Sequence, residues 1–160
     1  LSTGDIFRYN IKESTDLGIM AKEFMDKGEL VPDQVTIKML ESEVNKHPKS
    51  SGFIFDGFPR TTLQAKALDD FLSSKNLSIT KMIALEVPND ELISRLFLRG
   101  KQSGRADDQD KSIIANRIKV YENQTAVLAE YYKAQNKLAT VNGVGSVDQI
   151  TERLYRSIDL

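Results

Sequence analysis

The chain has 160 residues, enough for one domain with a hydrophobic core, and its 40% hydrophobic and 28% charged residues are typical of a soluble globular protein. Its net charge of −1 gives no general attraction to nucleic acid or to an anionic membrane, so we expect neither as a partner. The absence of cysteine excludes disulfides and thiolate metal sites and fits a reducing cytoplasm, and no apolar stretch approaches the length of a membrane-spanning helix.

The first part of the chain predicts three helices with no strand between them. One covers residues 6–12, and Ser14 or Thr15 can cap a second helix, which stops at Gly28. Pro32 is a plausible first residue of the third helix. We therefore expect a small helical subdomain beside a sheet.

The stretch that organises the chain lies at residues 52–60. Three consecutive apolar residues, Phe53–Phe55, predict a short strand covered on both faces, and Pro59 forbids further pairing. Asp56 then lies at the carboxyl end of a buried strand with Arg60 close behind, and ligands bind at that edge in open α/β sheets. The carboxylate suits a metal or its waters, and the arginine suits a phosphate. The alternative is an ordinary strand-turn-helix corner with solvated charges.

The second half of the chain alternates strands with helices. Strands are predicted at residues 79–87 and 138–141, and helices from a Thr61 or Thr62 cap to residue 74, at 89–99, at 109–136 with interruptions, and after a capping box of Ser146 and Gln149. This alternation predicts the α/β class, with a doubly wound parallel sheet and helices on both of its faces.

Two further expectations concern the helices of this half. Gly100 is predicted to stop the helix at 89–99 and to open an exposed, mobile loop over residues 100–108. Apolar residues at three- and four-residue steps in the long helix predict one buried stripe, formed by Ile114, Ile118, Tyr121, Leu128 and Tyr132.

Arginines are the most informative charged residues. Six of them lie near loops or element ends: Arg8, Arg60, Arg95, Arg99, Arg105 and Arg117. Guanidinium groups are the usual means of holding phosphate oxygens. Taken singly, each arginine is better explained as a surface charge or a salt bridge, and Asp107 and Asp108 could pair with Arg105 and neutralise it.

Gln64 shares one helix side with the apolar residues Leu68 and Phe71. An amide in that position could read the edge of a base, or it could satisfy local backbone groups. A single histidine and no cysteine argue against most nucleophile-histidine sites. The 160 residues contain neither a Gly-x-Gly-x-x-Gly motif nor a Gly-x-x-x-x-Gly-Lys-Ser/Thr loop.

Taken in order, several motifs resemble those of adenylate kinase, from Ser2 to the terminal helix. They are Leu1–Asp5 with Arg8, Gly28–Asp33, Asp56–Arg60 with Gln64, and Ser103–Asp108 with Arg117. The resemblance implies a P-loop kinase-like fold and a reversible transfer of the terminal phosphoryl group of ATP to AMP, giving two ADP and serving adenine nucleotide homeostasis. It also implies Mg²⁺ with ATP as cofactor, and a cytoplasmic monomer.

The resemblance also implies roles for individual residues. AMP would be bound by Thr3, Arg8, Glu29, Leu30, Val31, Gly57, Phe58, Pro59, Arg60, Gln64, Arg105 and Arg117. ATP would be bound by Arg95, Arg99 and Gly145. Arg99, Arg105 and Arg117 would close on the phosphates as catalytic groups, and Asp56 would hold magnesium through water, with no direct metal ligand.

Within one nucleoside monophosphate kinase domain at residues 1–160, we expect an AMP-binding insert at 2–31 and a short lid at 98–108. Members of the family begin with a strand, a glycine-rich phosphate loop and a helix, and we expect these elements to lie before Leu1. For the 160 residues taken alone, we therefore expect poor folding and negligible phosphoryl transfer.

Two other functions are compatible with the same residues. One is a kinase for UMP or CMP, although Thr3 and Gln64 favour adenine because the pyrimidine-specific relatives usually differ at both positions. The other is a non-catalytic fragment that binds AMP through Arg8, Arg60 and Gln64.

Overall fold

The structure, a computed structural model, describes residues 1–158 apart from the side chain of Ala106. Within that part of the chain, the α-helices lie at Thr3–Lys12 (α1), Asp16–Met25 (α2), Asp33–Asn45 (α3), Thr62–Ser73 (α4), Asn89–Ser103 (α5), Lys111–Val120 (α6), Leu128–Lys133 (α7) and Val147–Ile158 (α8). The strands are Met82–Glu86 (β1) and Leu138–Asn142 (β2), and short 3₁₀ and π segments lie at Ala106–Asp108 and Tyr121–Thr125.

The two strands form a parallel sheet, with Met82 opposite Leu138 and Glu86 opposite Asn142. Parallel strands need a long crossover connection, and α5, α6 and α7 supply it here. Both α7 and α8 contact β2. The predicted α/β class and its parallel pairing are therefore confirmed.

The predicted strand at Phe53–Phe55 does not form. The segment makes one isolated parallel bridge, between Ser2 and Asp56, and pairing ends there because Thr3 begins α1. Phe53 and Phe55 pack against a core cluster with ring centroids 6.0 Å apart, whereas Ile54 is 82% exposed. Side chains alternate between the two faces of an extended chain, so only one face of this segment is buried.

Local signals located the starts of α2, α4 and α8, whereas Pro32, predicted as the first residue of the third helix, is the N-cap of α3. Thr15 caps α2 by accepting the N–H of Gly18, 3.1 Å away, and Thr61 caps α4 by accepting the N–H of Gln64 at 3.2 Å. The capping box before α8 forms in both directions, at 3.0 Å and 3.3 Å. Helix α1 begins at Thr3, three residues earlier than predicted, with Ser2 as its cap.

The long helical region predicted at residues 109–136 is broken, and the break changes which residues are buried. Ile114, Leu128 and Tyr132 are buried as predicted, but Tyr121 is 49% exposed. Tyr121 begins the π-helical turn, which inserts one extra residue and rotates the next helical residues by about 100°. One stripe at regular spacing therefore cannot run through both α6 and α7.

Three clusters of buried apolar residues hold the elements together. The first three helices have their own core around Phe7, Ala21, Val31 and Met39, which agrees with the predicted helical subdomain. A second cluster joins α3 and α4, and a third packs α4 and α7 against the sheet. Among the described residues, no helix has the length and apolar character needed to cross a bilayer.

Candidate functional site

The backbone carbonyl of Gly57 joins the start of α1 to the segment before α4. It accepts hydrogen bonds from the Thr3 hydroxyl at 3.0 Å and from Nε of Arg60 at 2.8 Å. Gly57 has φ +72°, and a Cβ atom there would lie 2.9 Å from Nη2 of Arg60 and 3.3 Å from the Thr3 hydroxyl. Only glycine therefore suits this turn without displacing both side chains.

A cleft opens beside this carbonyl, between α1, the connector before α3, and the start of α4. Seven of the residues implied for AMP line it: Thr3, Glu29, Leu30, Val31, Gly57, Arg60 and Gln64. Arg8 lies just outside, with its guanidinium 3.0 Å from where a Cβ of Gly4 would lie. The side chain of Phe58 is buried in the core cluster of Leu40 and Leu68, so it supports the cleft from behind, and Pro59 is not among the lining residues.

Gln64 is buried, with 2% of its surface exposed, and its amide has protein partners at both ends. Oε1 accepts the backbone N–H of Arg60 at 2.7 Å, and Nε2 donates to Asp33 at 2.7 Å. Of the two possibilities that the sequence left open, the contact with a local backbone group forms, at Arg60, while Asp33 is a side-chain partner from another helix. Each end of the amide keeps one further hydrogen-bonding position.

A second group of charges lies where α5, the 3₁₀ turn and α6 meet. Asp108 is fully buried, and its two oxygens accept from Nε of Arg99 at 2.6 Å and from Nη1 of Arg117. Asp107 also pairs with Arg117, at 3.1 Å. The two acids thus orient arginines from two different helices.

These contacts correct two of the predictions. Asp107 and Asp108 form salt bridges with Arg117 and Arg99, whereas Arg105 forms its salt bridge with Asp5 on α1, at 3.6 Å. The loop predicted to open at Gly100 is helical to Ser103, and the αL residue that ends α5 is Gly104, with φ +68°.

The reason for the second error is a close backbone contact at Gly100. A Cβ atom on Gly100 would overlap the carbonyl oxygen of Asp108. The glycine therefore serves the packing of α5 against the 3₁₀ turn, and it does not end the helix.

Five arginines share one region of positive charge, which we call the arginine cluster: Arg8, Arg60, Arg99, Arg105 and Arg117. Burial, together with the positive charges of Arg117 and Arg8, lowers the pKa of Arg60. Burial and the charges of Arg8 and Arg99 likewise lower the pKa of Arg105. Mutual repulsion of this kind favours the binding of an anion among the arginines.

Arg95 and Gly145 belong to another part of the molecule, at the carboxyl ends of the strands. Nη1 of Arg95 donates to the carbonyl of Gly143 at 2.8 Å, and Nε donates to Glu91 at 2.7 Å. Gly143 itself follows β2 and donates its N–H to the Glu86 carbonyl at 2.9 Å. Arg99, predicted with them for ATP, lies with Asp108 instead.

Asp56 is exposed, and hydrogen bonds to Leu1 and Thr3 fix its backbone, at 2.8 Å and 3.2 Å. The negative charge of Asp56 acts on Arg60 and partly offsets the lowering of the Arg60 pKa. Within residues 1–158, no group of three or more acids or histidines is gathered closely enough to hold a metal ion. A single exposed carboxylate fits a hydrated Mg²⁺ that is held mainly by phosphate oxygens.

Sequence reasoning missed the part that two cleft residues and one residue behind the cleft play. Phe7 and Thr36 line the cleft, and Asp33 binds Gln64. Phe7 follows Thr3 by four residues, so helical spacing could have indicated that both share one side of α1. Asp33 lies 31 residues from Gln64, and no local pattern connects them.

Comparison with known proteins shows the family of the chain. The adenylate kinase family profile matches residues 1–137. The adenylate kinase of Flavobacterium psychrophilum is 58% identical over 159 residues, which cover 99% of this chain and 84% of that protein. Those of Flavobacterium johnsoniae and Bacteroides fragilis are 57% and 44% identical, with the same coverage. The chain therefore belongs to the adenylate kinase family.

Proposed function

We propose that this protein catalyses the reversible transfer of the terminal phosphoryl group of ATP to AMP, giving two ADP. The observation that carries the proposal is a cleft lined by both Arg60 and Gln64. The Gly57 carbonyl holds Nε of Arg60 at 2.8 Å, and Oε1 of Gln64 accepts the backbone N–H of Arg60 at 2.7 Å. A cationic group and a base-reading group so arranged suit a nucleoside monophosphate. The family relationship supplies the reaction.

On the AMP side, the phosphate would bind to Arg8 and Arg60, and the adenine would lie against Gln64 and the connector residues Glu29, Leu30 and Val31. In the described state Arg8 pairs with Asp5. An AMP phosphate would replace that carboxylate as the partner of Arg8. Thr3, Gly57, Phe58 and Pro59 would shape the wall of the same cleft.

Phosphoryl transfer needs little covalent chemistry from the protein and depends on positioning and on charge neutralisation. Arg99, Arg105 and Arg117 would stabilise the charge on the transferred group, with Arg105 and Arg117 also reaching the AMP phosphate. Asp108 holds two of the three in place before substrate arrives. Such preorganised charges lower the barrier without reorganising during the reaction.

On the ATP side, Arg95 and Gly145 would meet the adenine at the carboxyl ends of the strands, where ligands bind in parallel α/β sheets. Arg99 would contact the phosphates. When bound with ATP, Mg²⁺ would neutralise phosphate charge, and Asp56 would hold it through a water molecule.

Residues 98–108 would act as a short lid and residues 2–31 as an AMP-binding insert, within one kinase domain. The salt bridge between Arg105 and Asp5 brings the two segments into contact, as closure of a lid over the insert requires. Closure of both would bring the arginine cluster onto the phosphates and exclude water. We further propose a cytoplasmic monomer, which sedimentation equilibrium and cell fractionation would check.

The test is a comparison of AMP with UMP and CMP as phosphoryl acceptors from ATP, in a coupled assay for the diphosphate product. We expect AMP to be preferred by at least about 100-fold in kcat/KM, because a site with fixed hydrogen-bonding groups rejects a base that cannot pair with them. A preference for UMP or CMP would identify a pyrimidine nucleotide kinase and contradict the proposal. Transfer to water at the same rate without any acceptor would also contradict it.

A further inference from the structure

We propose that Asp33 is a positioning residue that fixes the orientation of the Gln64 amide and thereby makes the cleft select adenine over hypoxanthine. This inference rests on the proposed AMP site. It adds a specificity-determining residue that makes no contact with the base itself. The evidence is a ring of hydrogen bonds between the first turns of α3 and α4.

The ring uses both oxygens of the Asp33 carboxylate. Oδ1 accepts from Nε2 of Gln64 at 2.7 Å, and Oδ2 accepts from the Thr61 hydroxyl at 3.0 Å. The same hydroxyl accepts the backbone N–H of Gln64 at 3.2 Å, which closes the ring. Asp33 therefore holds the side chain of Gln64 directly and its backbone through the α4 cap.

The direction of the Gln64 amide is determined by its partners. A carboxylate can only accept, so Asp33 must face the NH₂ end of the amide. The backbone N–H of Arg60 can only donate, so it must face the oxygen, 2.7 Å away. Rotating the amide by 180° would set oxygen against carboxylate and N–H against N–H.

This fixed direction matters because the two purines present opposite patterns. Adenine carries an amino donor at position 6 and an acceptor at N1, whereas hypoxanthine carries an acceptor at position 6 and a donor at N1. Gln64 keeps one hydrogen and one lone pair beyond its protein contacts, and it lines the cleft. An amide locked in one direction pairs well with only one of these bases.

The test replaces Asp33 with asparagine and measures the dissociation constants of AMP and IMP by calorimetry. Asparagine has the same shape, but its amide accepts or donates, so either direction of Gln64 is satisfied on that side. Since the Arg60 contact remains, we expect the ratio of AMP to IMP affinity to fall by about fivefold and not to vanish. The matched control is Asp90→Asn, an exposed acid in the first turn of α5, which should leave the ratio unchanged.

The outcomes separate the inference from the site on which it rests. An unchanged ratio in Asp33→Asn, with both nucleotides weakened equally, would mean that Asp33 only supports the fold, and would overturn the inference alone. Failure of the unaltered protein to bind AMP would overturn the proposed AMP site and the inference together. If Asp33→Asn loses its helical circular dichroism, Asp33→Ser, whose shorter side chain leaves the Gln64 amide without the carboxylate, serves in its place with the same expected fall.

Discussion

Replacement of Arg60 by alanine is expected to raise the AMP concentration needed for half-maximal rate by about 100-fold, because truncating one member of a desolvated charge pair costs ~2–5 kcal/mol. Nε of Arg60 is held by the Gly57 carbonyl at 2.8 Å, so the guanidinium is already oriented before AMP arrives. Arg60→Lys keeps the charge but loses the fork, and a rise of about tenfold is expected. Initial rates against AMP concentration at saturating ATP measure both effects.

The matched control is Arg156→Ala. Arg156 is exposed on α8 and pairs with Glu152, one turn away, so its removal should leave the AMP dependence unchanged. If Arg60→Ala retained the AMP dependence of the unaltered protein, the fork would not bind the phosphate, and the proposed site would be wrong.

Replacement of Asp108 by asparagine is expected to lower the free energy of unfolding by about 3 kcal/mol. Removing one partner from a buried ion pair costs ~3–5 kcal/mol, and the partly exposed guanidinium of Arg99 places this case at the low end. Turnover should fall by at least about tenfold as well, since Arg99 and Arg117 lose the group that orients them. Urea unfolding followed by circular dichroism measures the first effect, and the coupled assay measures the second.

Protonation of the Asp108 carboxylate also makes the stability of the fold depend on pH. Burial alone would raise the pKa of Asp108, but the hydrogen bonds and charges of Arg99 and Arg117 outweigh it and hold the pKa below its ordinary value. The contribution of the Asp108 ion pairs to the free energy of unfolding is therefore complete above about pH 4, where the carboxyl of the unfolded chain is ionised. It is lost as pH falls through the pKa of Asp108 in the folded state. The stability difference between the unaltered protein and Asp108→Asn should be full at pH 7 and shrink below about pH 4.

Asp26→Asn is the control for this substitution, because Asp26 forms an exposed ion pair with Lys22 on α2. Its effect should stay within about 0.5 kcal/mol, as for other surface pairs. Equal losses from Asp26→Asn and Asp108→Asn would show that the Asp108 pairs carry no special weight.

Features that depend on residues close together in sequence were predictable. Thr61 caps α4 through a residue three positions later, and Ser146 pairs with Gln149 in the same way. The parallel pairing of β1 and β2 was also predictable, because strands separated by helices favour it. The resemblance to the family also made it possible to predict most of the residues that line the cleft.

Features that depend on distant contacts were not predictable. Gly100 resembles a helix stop in sequence, but the carbonyl of Asp108, which occupies the space that its Cβ would need, gives the glycine another purpose. The hydrogen bond between Asp33 and Gln64 spans 31 residues and leaves no periodic signal.

Two errors arose from assuming regular geometry. The apolar run Phe53–Phe55 was expected to be covered on both faces, but alternation turns Ile54 outward. Tyr121 fits a regular helical stripe, but the π-helical turn that it begins shifts the register by one residue. In both cases the apolar residues were identified correctly, but the backbone geometry determined which of them are buried.

Phosphorus NMR of the protein with ATP, AMP and Mg²⁺ tests the central claim most directly. We predict that ATP and AMP disappear in equal amounts while two ADP form for each pair, that no inorganic phosphate accumulates, and that omitting AMP stops the reaction. Loss of ATP with release of inorganic phosphate and unchanged AMP would contradict the account, because it would show hydrolysis and not transfer.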